Sequence, residues 1–358
     1  MPDITTPRFD KNTMKQASYL SKNLSRSVEA IQRLYPGIIV CLTIAFAATF
    51  LSNNYNAPVM IYALLVGMAF NFLATQPKCT AGIKFSSTTL LRIGIALLGL
   101  RITLDDIASL GIFPIIVVTT GVLATIIFGF LSARIMGLSK RIGIMTSGAV
   151  AICGASAALA IASVMPDDDE TKSATIFTVI SVTTMSTVAM VLYPIVAAAL
   201  NLNAQQSGLF LGGTIHDVAQ VVGAGYSVSG EVGELSTFIK LFRVAMLIPV
   251  VLFLATFVFR SKNIINSTSG SFSPNNIFPY FLVGFIFFVL AGSFGIIPSE
   301  LKTLLSTLST WLLVIAISAL GVKTSLSEIS SVGWKPLVLI LISTLFIAIY
   351  IIAAIKLI

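Results

Sequence analysis

Residues 208–226 read GLFLGGTIHDVAQVVGAGY, an apolar stretch that carries the protein's single histidine beside an acid and, four residues on, a glutamine. His216, Asp217 and Gln220 stand where a lipid-embedded helix should offer only hydrocarbon, and Gly212, Gly213, Gly223 and Gly225 bracket them. Ionisable groups at membrane depth are costly, so they face a protein interior or a water-filled path. This stretch is therefore the expected functional centre. Two readings of His216 stand side by side: an imidazole that titrates near neutrality and carries coupling protons, or a neutral ring hydrogen-bonded between helices. On an unbroken helix Gln220, and not Asp217, shares its face.

Outward from this stretch the composition is that of an integral membrane protein: 56% of residues are hydrophobic, 10% are charged and the mean hydropathy is +0.98. The apolar runs are long and lack the alternation of barrel strands, which makes the chain an all-α polytopic membrane protein. Its formal net charge of +8 is spread over the connections between apolar runs, as topology requires, so nucleic acid is not an expected partner. Cys41, Cys79 and Cys153 have no metal-ligand spacing and read as packing residues. No HExxH, GxSxG or GxxxxGKS motif occurs, which disfavours an enzyme and an ATP-driven pump and leaves an ion gradient as the driving force. No cofactor or metal is expected; the expected partners are the bilayer, a small anion and a coupling ion, proton or sodium, with homo-oligomerisation open.

Residues 1–35 form a basic tail with no cleavage site, expected to be retained in the cytosol, and 18–34 read either as an amphipathic surface helix or as a solvated leader. The membrane domain, 36–358, contains about eleven apolar segments, near 37–52, 57–75, 86–101, 111–136, 141–165, 171–200, 206–226, 237–258, 276–297, 303–322 and 333–355. If all cross the bilayer from a cytosolic N-terminus, Lys78, Lys84, Arg134, Lys140, Arg141, Arg260, Lys262 and Lys323 lie in the cytosol, and the acidic run Asp167 to Glu170 and the C-terminus lie outside.

The chain also repeats itself. GLRITLDDIASLGIFP at 99–114 matches GVKTSLSEISSVGWKP at 321–336 without a gap, pairing Gly99 with Gly321, Arg101 with Lys323, Asp106 with Glu328 and Pro114 with Pro336. The same offset aligns AFNF at 69–72 with AGSF at 291–294, so segments two to four, about 57–136, correspond to nine to eleven, about 276–355. Their odd separation predicts an inverted-topology repeat. Helix-end chemistry explains the motif, so its charges are not first candidates for a site. A weaker likeness joins VAMVLYP at 188–194 to VAMLIP at 244–249, yet segments five and seven would cross in one direction, which an inverted repeat does not allow.

Segment five has Gly148, Cys153, Gly154 and Ser156 at its centre. Small residues there serve either close helix packing or a break whose peptide N–H groups bind an anion. A break is expected near Gly154, and a second near Gly212 or Gly223. Lys240 and Arg243 share one helical face and either snorkel to the interface or supply positive charge to an anion. Arg92 lies deep in its segment and needs a polar neighbour or water.

Together LLGLRITLDDI, AICGASAALAIASVMP, GTIHDVAQVVGAGYS and KLFRVAMLIP resemble the YeiH-type family of bacterial inner-membrane proteins, described as sulfate exporters. The resemblance implies a fold shared with the bile-acid/sodium symporters, with two discontinuous helices meeting at mid-membrane near Cys153 to Ser156 and within Gly212 to Gly225. It implies an inner-membrane secondary transporter exporting a small inorganic or organosulfur anion such as sulfate. A sodium- or proton-coupled importer of an organic acid, and an uncoupled channel or sensor, are the alternatives. The expected substrate and ion ligands are Cys153, Gly154, Ser156, His216, Asp217, Gln220, Lys240 and Arg243.

Overall fold

The structure, a computed structural model, describes residues 11–55, 58–166, 168–258, 280–324 and 334–357, with side chains from Gln32 onward. Asp167, Arg260, Lys262, Glu328 and most of the second copy of the repeated motif lie outside the described residues, as do residues 1–10. In chain order the helices are α1 (Lys11–Tyr55), α2 (Val59–Ala69), α3 (Pro77–Arg101), α4 (Leu104–Ser109), α5 (Phe113–Ile135), α6 (Lys140–Ala151) and α7 (Ala155–Ala162). There follow α8 (Asp169–Ala199), α9 (Ala204–Thr214), α10 (Val218–Val228), α11 (Gly230–Val258), α12 (Tyr280–Ser293), α13 (Ser299–Lys323) and α14 (Trp334–Lys356). Among the described residues seven of these are long and apolar enough to cross a bilayer, and no strand occurs. The basic leader continues as helix through Pro36 into the first apolar segment.

All eleven apolar segments form helices, but two take a different path from the rest. Arg141 at the start of α6 pairs with Asp168 and, at 3.3 Å, with Glu170, both at the start of α8. The Thr175 hydroxyl lies 3.5 Å from Met145 Sδ. Residues on either side of segment five therefore sit on one face, so α6 enters the membrane and α7 returns. The acidic run lies with Arg141 and not across the bilayer from it, which corrects the expectation drawn from a full crossing. Segment seven does the same from the opposite side. Gly212 of α9 and Gly225 of α10 both abut Ser236 of α11: a Cβ on the first would stand 2.4 Å from Ser236 O, and one on the second 2.2 Å from Ser236 Oγ. Each is a re-entrant hairpin about half a membrane deep, since 11 or 12 residues of helix rise only about 17 Å.

The hairpins also remove the conflict in the weaker repeat. Because they open to opposite faces, hairpin one with α8 and hairpin two with α11 are inverted with respect to each other, as VAMVLYP and VAMLIP require. The stronger repeat is inverted as well. Helices α3 and α13 run antiparallel: Arg101 Nη2 donates to Ser306 O at 2.8 Å and Thr310 Oγ1 at 2.6 Å, Ser309 Oγ to Gly94 O at 2.7 Å, and Lys323 Nζ to Ser87 Oγ at 3.4 Å. The paired cations, Arg101 and Lys323, thus reach across to the other copy at opposite ends. Their partner glycines behave reciprocally. Gly321 packs on Gly67 of α2, and Gly99 packs on Val289 of α12, the residue that the repeat aligns with Gly67.

These glycines let backbones touch, which is how membrane helices associate without a hydrophobic driving force between them. A Cβ at Gly67 would lie 2.4 Å from Ser318 O, and one at Gly321 2.3 Å from Leu64 O. Gly67→Val should therefore cost about 1–3 kcal/mol of stability, read as a lowered midpoint in detergent unfolding; an unchanged midpoint would refute the close packing.

Helices α1, α2, α3, α12 and α13 form one bundle, and α5, α8, α11 and α14 surround the hairpins in a second. In the second, α5 and α14 pair through Thr120 Oγ1 and Tyr350 Oη at 2.7 Å and through stacked Phe128 and Phe346. The first copy of the repeated motif connects the bundles, and Thr103 and Asp106 form a capping box at the start of α4. The Thr103 hydroxyl and amide both donate to Asp106, which holds its carboxyl below the usual range. Asp106 is thus engaged in the helix-end role read from its sequence.

Candidate anion site at the hairpin tips

The tips of the hairpins meet inside the second bundle. Hairpin one turns at Ile152–Cys153–Gly154 and hairpin two at Ile215–His216–Asp217. A Cβ built on Gly154 would stand 3.5 Å from His216 Cβ. Position by position the turns correspond: Ile152 and Ile215 close the inbound arms, while Gly154 and Asp217 are the N-caps of the outbound arms. Gly154 has φ 65° and ψ −127°, open only to glycine without strain, so the turn needs a glycine there. The second break lies at His216 itself and not at Gly212 or Gly223. Those glycines instead seat Ser236 and Met190 against their helices.

Every helix leaves its last carbonyls without intrahelical donors and carries partial negative charge at that end. Here two such ends are buried together, and two cations from α11 cap both. Lys240 Nζ donates to Ile152 O at 2.6 Å and to Ile215 O at 3.0 Å, one carbonyl from each hairpin. Arg243 donates through Nη2 to Val150 O at 2.9 Å and Ala151 O at 2.7 Å, and through Nε to Ala151 O at 3.1 Å. Its Nη1 reaches Gly212 O at 3.2 Å and Ile215 O at 3.1 Å. Both side chains are 0% exposed. They do not snorkel, and their donors are turned to main chain.

The outbound arms begin where the inbound arms end, and they differ. At hairpin two, Asp217 Oδ1 accepts from Ala219 N at 2.8 Å, so α10 starts on its own carboxylate, and Ser186 Oγ accepts from Asp217 N at 3.0 Å. At hairpin one the corresponding residue is Gly154, which has no side chain to offer. The first amides of α7, at Ala155, Ser156 and Ala157, face no such cap. Ser156 is exposed, and its hydroxyl donates to Cys153 O at 3.0 Å and lies 2.9 Å from Cys153 Sγ. Cys153 itself is buried.

His216 is fully buried, with Nε2 2.9 Å from Thr344 Oγ1 of α14, while Nδ1 has no hydrogen-bond partner among the described residues. Gln220 is fully buried too; its Nε2 donates to Thr187 Oγ1 at 2.8 Å. Asp217 alone of the three is partly open. The eight residues singled out in the sequence all lie at or beside the tips. Sequence reasoning missed Thr344, Ser186 and Thr187, single hydroxyls in apolar helices whose partners lie far away in the chain.

A second feature lies nearer the face opposite Arg141, where Arg101, Asp106, Gln205, Glu231 and Glu234 line a cavity of about 320 Å³. Lys323, the repeat partner of Arg101, lies instead toward the Arg141 face, within electrostatic reach of Asp217.

The model of a family described as conserved hypothetical protein 698 matches residues 36–340. A UPF0324 membrane protein of Chlorobaculum tepidum is 49% identical over 324 residues, covering 90% of this chain and 89% of the relative. Another, of Rhizobium meliloti, is 48% identical over 320 residues, with 89% and 91% covered. A UPF0324 membrane protein of Paracoccus denitrificans named TauZ is 46% identical over 322 residues, with 90% and 94% covered.

Proposed function

This chain belongs to the conserved hypothetical protein 698 family, the YeiH-type UPF0324 membrane proteins, and from that premise we propose that it is an ion-gradient-driven secondary transporter exporting a small anion such as sulfate. The observation that carries the reading is the charge balance at the tips. Against Lys240 and Arg243 the turns offer one carboxylate, Asp217, so the tips hold one formal positive charge in excess. Most donors of the two cations are taken by carbonyls, so they act chiefly through their field, while the direct ligands are the amides of Ala155 to Ala157, joined by the Ser156 hydroxyl when it turns from Cys153 O. An anion takes at hairpin one the place that the Asp217 carboxylate takes at hairpin two. The basic face, with Lys140 and Arg141, is cytosolic in the inner membrane of a bacterium.

Coupling follows the exposure of the two titratable groups. His216 is closed off between hairpin and α14, whereas Asp217 is partly open, so in this reading Asp217 takes and releases the coupling proton. Purified protein in liposomes should move sulfate or sulfite faster when a pH gradient is imposed. Asp217→Asn should abolish the gradient's effect, and His216→Gln should keep it at a reduced rate. Loss of coupling in His216→Gln alone would return the proton to the histidine; selective carboxylate uptake would favour the organic-acid importer, and flux that follows only the membrane potential a channel.

A further inference from the structure

The cavity at the face opposite Arg141, about 320 Å³ in volume, takes no part in the transport reading. Arg101 at the end of α3 and Asp106 in α4 form one wall, and Gln205 of α9 with Glu231 and Glu234 of α11 forms the other. Charges that share a site elsewhere in this chain are matched: Arg141 pairs with Asp168 and Glu170, and Lys240 and Arg243 turn their donors to carbonyls. Those of the cavity are not. Among the described residues Arg101 forms an ion pair with no carboxylate, and Glu231 and Glu234 make neither an ion pair nor a side-chain hydrogen bond. Arg101 is nevertheless anchored. Its Nη2 donates to Ser306 O and Thr310 Oγ1, which holds the guanidinium in place and leaves Nη1 and Nε without a carbonyl or carboxylate among the described residues. Asp106 accepts from the Thr103 hydroxyl and amide and so belongs to its helix end. Glu231, in the first turn of α11, gains from the helix dipole. Glu234 lies three residues further along the same face, half-buried, and has no such structural role.

Opposite charges that line one cavity without closing on each other are groups that lack partners, and each such group calls for one. We propose that the cavity binds a small zwitterion, an ω-amino acid whose acid group meets Arg101 and whose ammonium meets Glu231 and Glu234. A plain anion would satisfy the guanidinium but stand against two carboxylates. A plain amine would satisfy the carboxylates and leave Arg101 bare. A molecule that carries both charges, separated by methylenes, serves both walls with charge-assisted hydrogen bonds. The rest of the lining suits the spacer: Ile107, Leu110, Leu235 and Phe238 are apolar and would cover the methylenes. The volume stands at the lower end of the range for small-molecule pockets, about 300–1,000 Å³. Because Arg101 and the glutamates come from different bundles, the ligand would also tie the two together at this face.

Equilibrium dialysis of the purified full-length protein against radiolabelled β-alanine, 4-aminobutyrate and 6-aminohexanoate tests this, the series measuring the separation of the two charges. At least one member should bind saturably, and the alkylamine and the carboxylate of the same length should bind at least about tenfold more weakly. No saturable binding in the series would overturn the proposal. Glu234→Gln keeps the size and removes the charge, and should weaken the ligand at least about tenfold; unchanged affinity there would refute the site. Arg101 also holds Ser306 and Thr310, so its part is read from the ligand and not from a variant. An alkylamine that binds as well as its amino acid would remove Arg101 from the site, and a diamine that binds more tightly would make the cavity a cation site; either result overturns the zwitterion. Bound ligand should raise the midpoint of detergent unfolding in the parent and not in Glu234→Gln. Excess sulfate should leave binding unchanged, and displacement would place the ligand at the hairpin tips instead. None of these measurements uses flux, so failure here leaves the transport reading standing, and a protein that moves no sulfate leaves this site standing.

Discussion

Arg243→Met should destabilise the folded protein by about 3 kcal/mol or more, taking roughly 1 kcal/mol for each carbonyl that loses its donor. Those carbonyls belong to Val150, Ala151 and Gly212, while Ile215 keeps the bond from Lys240. Methionine fills much of the same volume, so the loss reports on donors and charge more than on packing. Arg243→Lys restores the charge but has three N–H donors on one atom for the four carbonyls that the guanidinium serves, and an intermediate stability is expected. Unfolding of the purified variants in detergent gives the order directly. A methionine variant as stable as the parent would mean that water or lipid satisfies the helix ends, and the capping account would be wrong.

Ser156→Asp should abolish anion binding while leaving the fold intact. An acid in the first turn favours α7 through its dipole by about 0.3–1 kcal/mol, and the exposed position has room for it. That carboxylate, two residues beyond the position that Asp217 takes on the other hairpin, would stand in the first turn beside the open amides and repel an incoming anion. Sulfate affinity should fall at least tenfold, about 1.4 kcal/mol, with the unfolding midpoint unchanged or higher. Ser156→Ala should lose only a hydroxyl contact, a few-fold. Unchanged sulfate binding by the aspartate variant would move the site away from hairpin one. A parallel fall in stability would instead make Ser156 a structural residue.

Much of this architecture is legible in the residues. The motif at 99 and 321 announces duplication because a helix end needs the same glycine, cation and acid wherever it recurs. His216 and Asp217 announce a buried functional stretch because a lipid-facing helix would not tolerate them, but the glycines point to a break at Gly212 or Gly223 and not at His216, where it falls. The hairpin paths are not legible, since twenty apolar residues have the same hydropathy whether they cross or turn back; contacts between the ends of a segment, such as Arg141 with Asp168 and Glu170, separate the cases. The correspondence of the tips is hidden as well. Only the isoleucines of Ile152–Cys153–Gly154 and Ile215–His216–Asp217 agree, and what the turns share is backbone geometry and a lysine drawn from elsewhere. Sequence alone left Lys240 and Arg243 between snorkelling and substrate charge, because their carbonyl partners lie 25 to 93 positions away.

That remoteness bears on how the chain is made. Lys240 follows Ile152, whose carbonyl it caps, by 88 positions, and at 5–20 residues per second a ribosome needs roughly 4–18 s to supply it. During that interval hairpin one has emerged with its polar tip unmatched, in a solvent that cannot satisfy it. A short re-entrant pair of helices in that condition should wait at the membrane surface or beside the insertion machinery, and sink to its final depth only when α11 arrives. Nascent chains stalled shortly before Lys240 should therefore leave Cys153 open to water-soluble thiol reagents, and chains stalled well beyond α11 should not.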